Sequence, residues 1–382
     1  MQTSLKANVE STLIKPTQDR SQRTGQTQRI KVQTGFGCNA SCTFCYYRAL
    51  IHTKNLPVET LDGELNLALR LGYKDVDFSG GEPTIVPGIE QVIHRAKELK
   101  FRRINVISNG MSISNQKFYA KLVDSGLNET LFSLHGVSPE THEFLVRVPG
   151  SFQKVTDAMK NANDLGVTVR TNITINKFNF KDLEEYVNYV LKFEPENMNF
   201  IFLNPWTTDD VNAKELFAKY DEAIPYLLNA MKILEDTSVK VAVRYVPYCT
   251  MPSEYRGHIV NLWNRQYDTY EWGDPFTGFS EYVAYNFINE GGSHNIDLAK
   301  EWLKYKIKTG ISSAARLALK RPTSVVDGLF LRNDSQELSY GYMVNDRVDA
   351  CSKCSIKNIC EGVKREYINV FGQDEFKPLP FE

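Results

Sequence analysis

The strongest constraint on this chain is a strand–helix alternation that begins at Ile30 and runs to Leu203. Short, mostly apolar runs at 30–34, 75–78, 103–107, 130–134, 167–175 and 198–203 alternate with segments of helical spacing at 59–71, 89–99, 116–124, 152–165 and 182–193. Strands joined through helices pair in parallel with right-handed crossovers. Six such units predict an α/β fold, either an open doubly wound sheet or an incomplete barrel, and periodicity alone does not choose. After Asn204-Pro205-Trp206 the pattern changes. Residues 215–234 read as a long helix containing Pro225, and 239–245 as another strand. Residues 250–295 are rich in aromatics, Gly and Asn without clear period, and 297–320 read as a helix interrupted near Gly310. The expected organisation is a flexible polar tail over 1–29, the core over 30–205, barrel completion and a linker over 206–248, and an α+β region over 249–382.

Composition excludes several classes. Over 382 residues, 45 Lys and Arg offset 46 Asp and Glu, and a formal charge of -1 argues against a strongly basic nucleic-acid binder. With 42% hydrophobic and 24% charged residues, wholesale disorder, collagen and coiled coil are excluded. No run of about 18 apolar residues occurs, and the polar N-terminal segment has no apolar signal region. A cytoplasmic protein without a membrane span is expected. In a reducing compartment seven cysteines, an odd number, read as metal ligands or reactive thiols.

Three of them, Cys38, Cys42 and Cys45, form a C-x3-C-x2-C loop directly after the first strand. Three thiolates this close can hold one iron-sulfur cluster and leave one iron open, the arrangement of a reactive metal site. The spacing also admits a zinc knuckle completed by a histidine such as His52, or three buried thiols. Ser79-Gly80-Gly81-Glu82-Pro83 follows the second strand, where two glycines permit close backbone approach. Ser108-Asn109-Gly110 ends the third strand and Ser133-Leu134-His135-Gly136 the fourth. Arg170 and Asn172, two apart on the fifth, share a face, and Asn204 follows the sixth. Taken singly, Ser133, His135, Arg170 and Asn172 fit a purely structural role equally well. Most of these motifs fall at C-terminal strand ends, where parallel-barrel sites lie.

This set resembles the radical S-adenosylmethionine (SAM) superfamily, over roughly residues 30–205. The resemblance implies a partial (β/α)6 TIM-like barrel. It also implies a [4Fe-4S] cluster on Cys38, Cys42 and Cys45 whose open iron takes SAM, and reductive cleavage of SAM to a deoxyadenosyl radical that abstracts hydrogen. Phe44 matches the aromatic position beside the bound nucleoside, and Gly80, Gly81 and Glu82 match the segment that meets the SAM amino group. Ser108, Asn109, Ser133, Arg170, Asn172 and Asn204 are further cofactor-binding candidates.

The remaining cysteines are Cys249 and a C-x2-C-x5-C run, Cys351, Cys354 and Cys360, with Cys351 lying 102 positions after Cys249. The run resembles the auxiliary-cluster segments of SPASM and twitch families, although four cysteines suffice for one cluster only. A second, auxiliary [4Fe-4S] cluster on all four is expected, with a four-thiolate zinc site or unliganded thiols as alternatives. A Cys249 that is not a ligand would be a candidate catalytic hydrogen donor.

The expected substrate is a peptide or small natural-product precursor, with a one-electron reductant such as flavodoxin or ferredoxin as partner. RNA modification, or a metal-binding electron carrier that never cleaves SAM, are the alternatives. No peptide-recognition or cobalamin-binding domain is expected before the core. The basic run Lys304, Lys306, Lys308, Arg316, Lys320 and Arg321 reads as a solvated helix face more readily than a phosphate grip. The rings of Tyr255, Trp263, Tyr267, Tyr270, Trp272, Phe276, Phe279 and Tyr282 suit either a substrate lid or a second core, with Asp268, Glu271 and Asp274 as acid/base candidates among them.

Overall fold

The computed structural model describes residues 27–48, 50–204, 215–261, 264–265, 268–273, 276–289, 298, 300–305 and 345–380. Eight strands form one parallel sheet in sequence order. They are β1 (Arg29–Gln33), β2 (Asp75–Ser79), β3 (Arg103–Ser108), β4 (Glu129–Ser133), β5 (Thr168–Ile175), β6 (Asn197–Phe202), β7 (Lys240–Arg244) and β8 (Ile259–Val260). The expected partial barrel is present; β7 is the further strand expected at 239–245, and β8 extends the sheet beyond it. Helices α1 (Val58–Arg70), α2 (Ile89–Glu98), α3 (Gln116–Ser125), α4 (Pro139–Val146), α5 (Ser151–Asp164), α6 (Leu183–Val190) and α7 (Tyr220–Leu234) are the crossovers. Their apolar stripes, such as Leu61, Leu65 and Ala68 of α1 or Val92, Ile93 and Ala96 of α2, are buried.

Alternation along the strands sorts the other face. Arg29 and Lys31, Asp77 and Ser79, Ile107 and Asn109, Leu131 and Ser133, Arg170 and Asn172, and Asn199 and Ile201 are each two apart and point inward together. At the base of this face, Arg29 Nη1 donates to Glu129 Oε1 at 2.8 Å and Arg170 Nη1 to the same oxygen at 2.6 Å. Arg29 also pairs with Asp77. On a flat sheet β1 and β5 would stand about 19 Å apart, four strand spacings. Two arginines from those strands meeting on one oxygen therefore require a curled sheet. Arg29 belongs to β1 and is fully buried, so the ordered core starts one residue inside the expected tail.

The exposed edge of β1 is closed by the region that showed no period. Gly273 N donates to Arg29 O at 2.8 Å, and Gln33 N donates to Ser280 Oγ at 2.7 Å. Here the sequence reading missed helix α8 (Phe276–Asn289). It is covered on several sides, with Phe276, Phe279, Val283, Ala284 and Phe287 buried, so its apolar residues form no single stripe. A two-stranded antiparallel ribbon, β9 (Asn345–Asp346) with β10 (Val363–Lys364), and α9 (Arg365–Phe371) follow. Among the described residues no helix is long and apolar enough to cross a membrane.

Removing one partner from the buried ion cluster leaves an uncompensated charge, which costs about 3–5 kcal/mol. Glu129→Gln is expected to lose that much stability in chemical denaturation. Arg170 and Arg29 pull the Glu129 carboxyl down to about 2, against the desolvation that opposes them. Its contribution is therefore complete above the ordinary carboxyl range and fades as pH falls toward about 2. The variant should lack that acid-limb slope.

Candidate active site

The C-terminal ends of β1–β7 surround a cavity of about 430 Å3, within the usual range for small-molecule sites. Cys38, Cys42 and Cys45 all line it, in the loop that follows β1. The loop is pinned from two sides. Thr43 N donates to Leu145 O at 2.8 Å and Ser41 N to Val146 O at 3.4 Å, using carbonyls at the end of α4 that have no partner within the helix. On the other side Gly81 N donates to Gly35 O at 3.0 Å and Glu82 N to Gly37 O at 2.8 Å. Gly80 has φ +135°, and a Cβ on Gly81 would stand 2.1 Å from Gly37 O. The glycine pair thus lets the turn after β2 lie directly on the cysteine loop.

Glu82 is buried beside this turn and accepts four hydrogen bonds: from Thr84 N at 3.1 Å, Thr84 Oγ1 at 2.6 Å, Ser108 Oγ at 2.8 Å and Asn109 N at 2.7 Å. Burial raises its carboxyl, and these bonds oppose the rise. Ser108 is almost fully buried and is spent on Glu82 and Gly110 N, so it holds the turn rather than the cavity wall. Asn109 Nδ2 donates to Asn39 Oδ1 at 2.7 Å, tying β3 to the cysteine loop. His52, weighed above as a zinc ligand, has both ring nitrogens engaged: Nδ1 donates to Cys38 O at 2.8 Å, and Ser41 Oγ donates to Nε2 at 2.9 Å.

Phe44 lines the cavity with its ring edge-on to His135, centroids 4.6 Å apart. Thr174 N donates to His135 Nδ1 at 3.1 Å. Burial, then the neighbouring His142, holds the His135 imidazole well below its ordinary range, so at neutral pH its one ring proton sits on Nε2. Ser133, Asn172 and Asn204 also line the cavity. Arg170 lines it too, but the carboxylate it meets is the protein's own Glu129.

The sequence reading missed Lys31, Asn199 and Glu281 on this wall. Lys31 pairs with Glu281 of α8, which also accepts from Tyr47 Oη at 3.1 Å. The aromatic stretch divides. Tyr270 and Trp272 line the cavity floor, where Trp272 Nε1 donates to Asp77 at 2.8 Å, whereas Phe276 and Phe279 pack in the core. Tyr255 donates to Glu235 at 2.5 Å, and Tyr282 to Glu301 at 3.3 Å. Glu271 is buried and pairs with Arg244. Lys304 pairs with Glu301 at 2.5 Å. Pro205, Trp206, Trp263, Tyr267, Asp274, Lys306, Lys308, Gly310, Arg316, Lys320 and Arg321 lie outside the described residues.

Folding closes the gap between Cys249 and the late run. Cys249, Cys351, Cys354 and Cys360 line one small pocket, and Cys360 also lines the large cavity. Asn261 Nδ2 donates to Ile359 O at 3.1 Å and to Tyr248 Oη at 3.0 Å, fastening the two segments. Burial, then Cys360, Cys351 and Cys354, pushes the Cys249 thiol up to about 12. Burial likewise pushes Cys38 up to about 11, and Cys42, beside Cys45 and Cys38, higher still. Gathered, largely half-buried thiols are a donor set suited to a bound cationic centre, which compensates the thiolate charge. Backbone N–H groups already point at sulfur: Ala40 N donates to Cys38 Sγ at 3.4 Å and Gly362 N to Cys360 Sγ at 3.5 Å. Thiols of this kind are the ligand type of iron-sulfur clusters, although among the described residues no group of three or more His, Cys, Asp or Glu side chains is arranged to hold a metal ion.

Residues 32–190 match the family model described as the radical SAM superfamily. The probable GTP 3',8-cyclase of Sulfurisphaera tokodaii is 24% identical over 233 residues, 60% of this chain and 70% of that protein. Its counterpart in Sulfolobus acidocaldarius is 22% identical over 182 residues, 47% of this chain and 57% of that protein. Among solved structures, Streptococcus suis SuiB matches at 16% identity and TM-score 0.49, over 57% of this chain and 50% of that chain. The match thus spans about half of SuiB.

Gly81→Ala is expected to force the two turns apart, since an overpacked contact of this kind costs about 1–3 kcal/mol. The checks are a lowered denaturation midpoint and faster amide exchange confined to residues 36–45.

Proposed function

We infer that this chain, a member of the radical SAM superfamily through residues 32–190, cleaves SAM reductively and takes a hydrogen atom from a substrate held between its two cysteine sets. The observation that carries this reading is the single cavity lined by Cys38, Cys42 and Cys45 on one side and by Cys360 on the other. Cys38, Cys42 and Cys45 would hold a [4Fe-4S] cluster with one iron open, and Cys249, Cys351, Cys354 and Cys360 a fully ligated auxiliary one. When bound, the first cluster supplies the electron that divides SAM into methionine and a deoxyadenosyl radical.

The chain's own residues then have positional work. Gly80 and Gly81 bring backbone close to the cysteine loop, where an ammonium and carboxylate can be received. Glu82 fixes that turn by hydrogen bonds from β3 and from Thr84. Phe44 offers a ring edge to the nucleoside, and Ser133 and Asn172 offer a hydroxyl and an amide to ribose. His135 holds its proton at Nε2 and is a fixed donor. Lys31, Trp272 and Tyr270 wall the floor and exclude water, which protects a radical from quenching. The electron would come from a flavodoxin or ferredoxin.

For the substrate, a small natural-product precursor or one residue of a peptide suits the cavity volume. A purine nucleotide is the second reading. It is favoured by the relatives named probable GTP 3',8-cyclase and by Arg244, Arg265 and Arg347 on the cavity wall.

Anaerobic reconstitution should give about eight irons per chain, falling to about four when Cys38, Cys42 and Cys45 are all replaced by Ala. Deoxyadenosine formation from SAM under reducing conditions should be abolished in that variant. Replacing Cys351 and Cys354 should also remove about four irons yet leave deoxyadenosine formation measurable. A wild-type protein with full iron and no deoxyadenosine would sink the reading.

A further inference from the structure

The strand register places Ser133 of β4 beside Asn172 of β5, and Asn172 beside Asn199 of β6. All three side chains line the cavity. Asn199 differs from the other two. It is 4% exposed, and its buried Oδ1 has no hydrogen-bond partner among the described residues. The other inward asparagine of the same strand is engaged at both amide atoms. Asn197 Oδ1 accepts from Arg170 Nε at 3.4 Å, and Asn197 Nδ2 donates to Lys240 O at 3.1 Å. One amide of β6 therefore builds the floor, and the other is held open on the wall above it. A buried polar atom without a partner calls for an explanation, such as a bound water, ion or ligand; twelve such atoms occur among the described residues, and Asn199 Oδ1 is one that belongs to a cavity-lining side chain.

Its strand borders the one that leads to the late cysteines. β6 stands five strands from β1, whose loop carries the first cysteines, and directly beside β7, which leads to Cys249. Arg244 of β7 lies across from Ile201, one inward step above Asn199.

We propose that Asn199 is a substrate-orienting residue whose amide receives a ligand presenting an N–H beside a C=O. This rests on the radical SAM reading of the cavity. A planar amide offers one acceptor and two donor hydrogens in fixed directions, and so matches an N–H and C=O displayed side by side. Two sources share that chemistry: one residue of an extended peptide, and the lactam edge of a guanine base.

The test uses the full chain, anaerobically reconstituted and saturated with SAM. It is titrated with GTP and, separately, with N-acetyl-alanyl-alanine methylamide. One of the two is expected to bind the wild type, and that one names the source. Asn199→Leu should raise its Kd at least ten-fold. Asn199→Asp, close in shape but without the donor, should raise it about three-fold or more, and decides the matter if the Leu variant fails to fold. Three results overturn the proposal: neither probe binds the wild type, both variants bind the probe as the wild type does, or SAM affinity falls as much as probe affinity in both. Deoxyadenosine formation by the wild type is scored separately. Its absence removes the radical SAM reading, whereas the probe titrations report on Asn199 alone.

Discussion

The buried ion cluster of Arg29, Asp77, Glu129 and Arg170 is the interaction on which the rest depends. It draws β1, β2, β4 and β5 toward one point and so sets the curl of the sheet. The curl in turn brings the C-terminal strand ends into a ring, and those ends carry the candidate site. Buried charge is expensive unless it is fully matched. Here Arg29 and Arg170 face Asp77 and Glu129, Arg103 Nη1 donates to Glu129 Oε2 at 2.9 Å from the margin, and the remaining bonding capacity is filled locally. Arg29 Nε donates to Thr269 O at 3.0 Å, Arg170 Nη2 to Tyr270 O at 3.2 Å, and Trp272 Nε1 to Asp77. The segment 268–273 thus completes both the charge cluster and the open edge of β1.

That double use explains how the two halves of the chain cooperate. A parallel half-barrel has an exposed strand edge, which invites unwanted pairing. The edge of β1 is covered by Gly273 and Ser280, and the helix that supplies Ser280 also supplies Glu281 to Lys31 on the cavity wall. Edge protection and wall construction are therefore one packing event. At the opposite side β7 and β8 extend the sheet, and the turn after β7 delivers Cys249 to the late cysteines.

Rigidity at the cysteine loop comes from a different source. The loop has little apolar packing of its own: Ala40, Met111 and Val146 form a small cluster with Cys38 and Cys42 at its margin. Backbone hydrogen bonds to α4 and to the Gly-Gly turn hold it instead. Glu82 reinforces them because a carboxylate that accepts two backbone and two side-chain donors fixes several segments at once.

Much of this was legible in the sequence. Strand–helix alternation carries the parallel fold, because each crossover must bury an apolar helix stripe on the sheet. Local spacing carries the first cysteine loop and the glycine turn, because their partners lie on neighbouring strands. Asn199 was legible in principle, as a second polar residue two positions from Asn197 in an otherwise apolar strand. Three things belonged to tertiary structure alone. Helix α8 hid its period because it is covered on several sides. Arg170 gave no sign that its carboxylate would be Glu129, since their pairing depends on the curl. The meeting of Cys249 with Cys351, Cys354 and Cys360 spans a gap that no local periodicity bridges, and only the packed fold sets that distance.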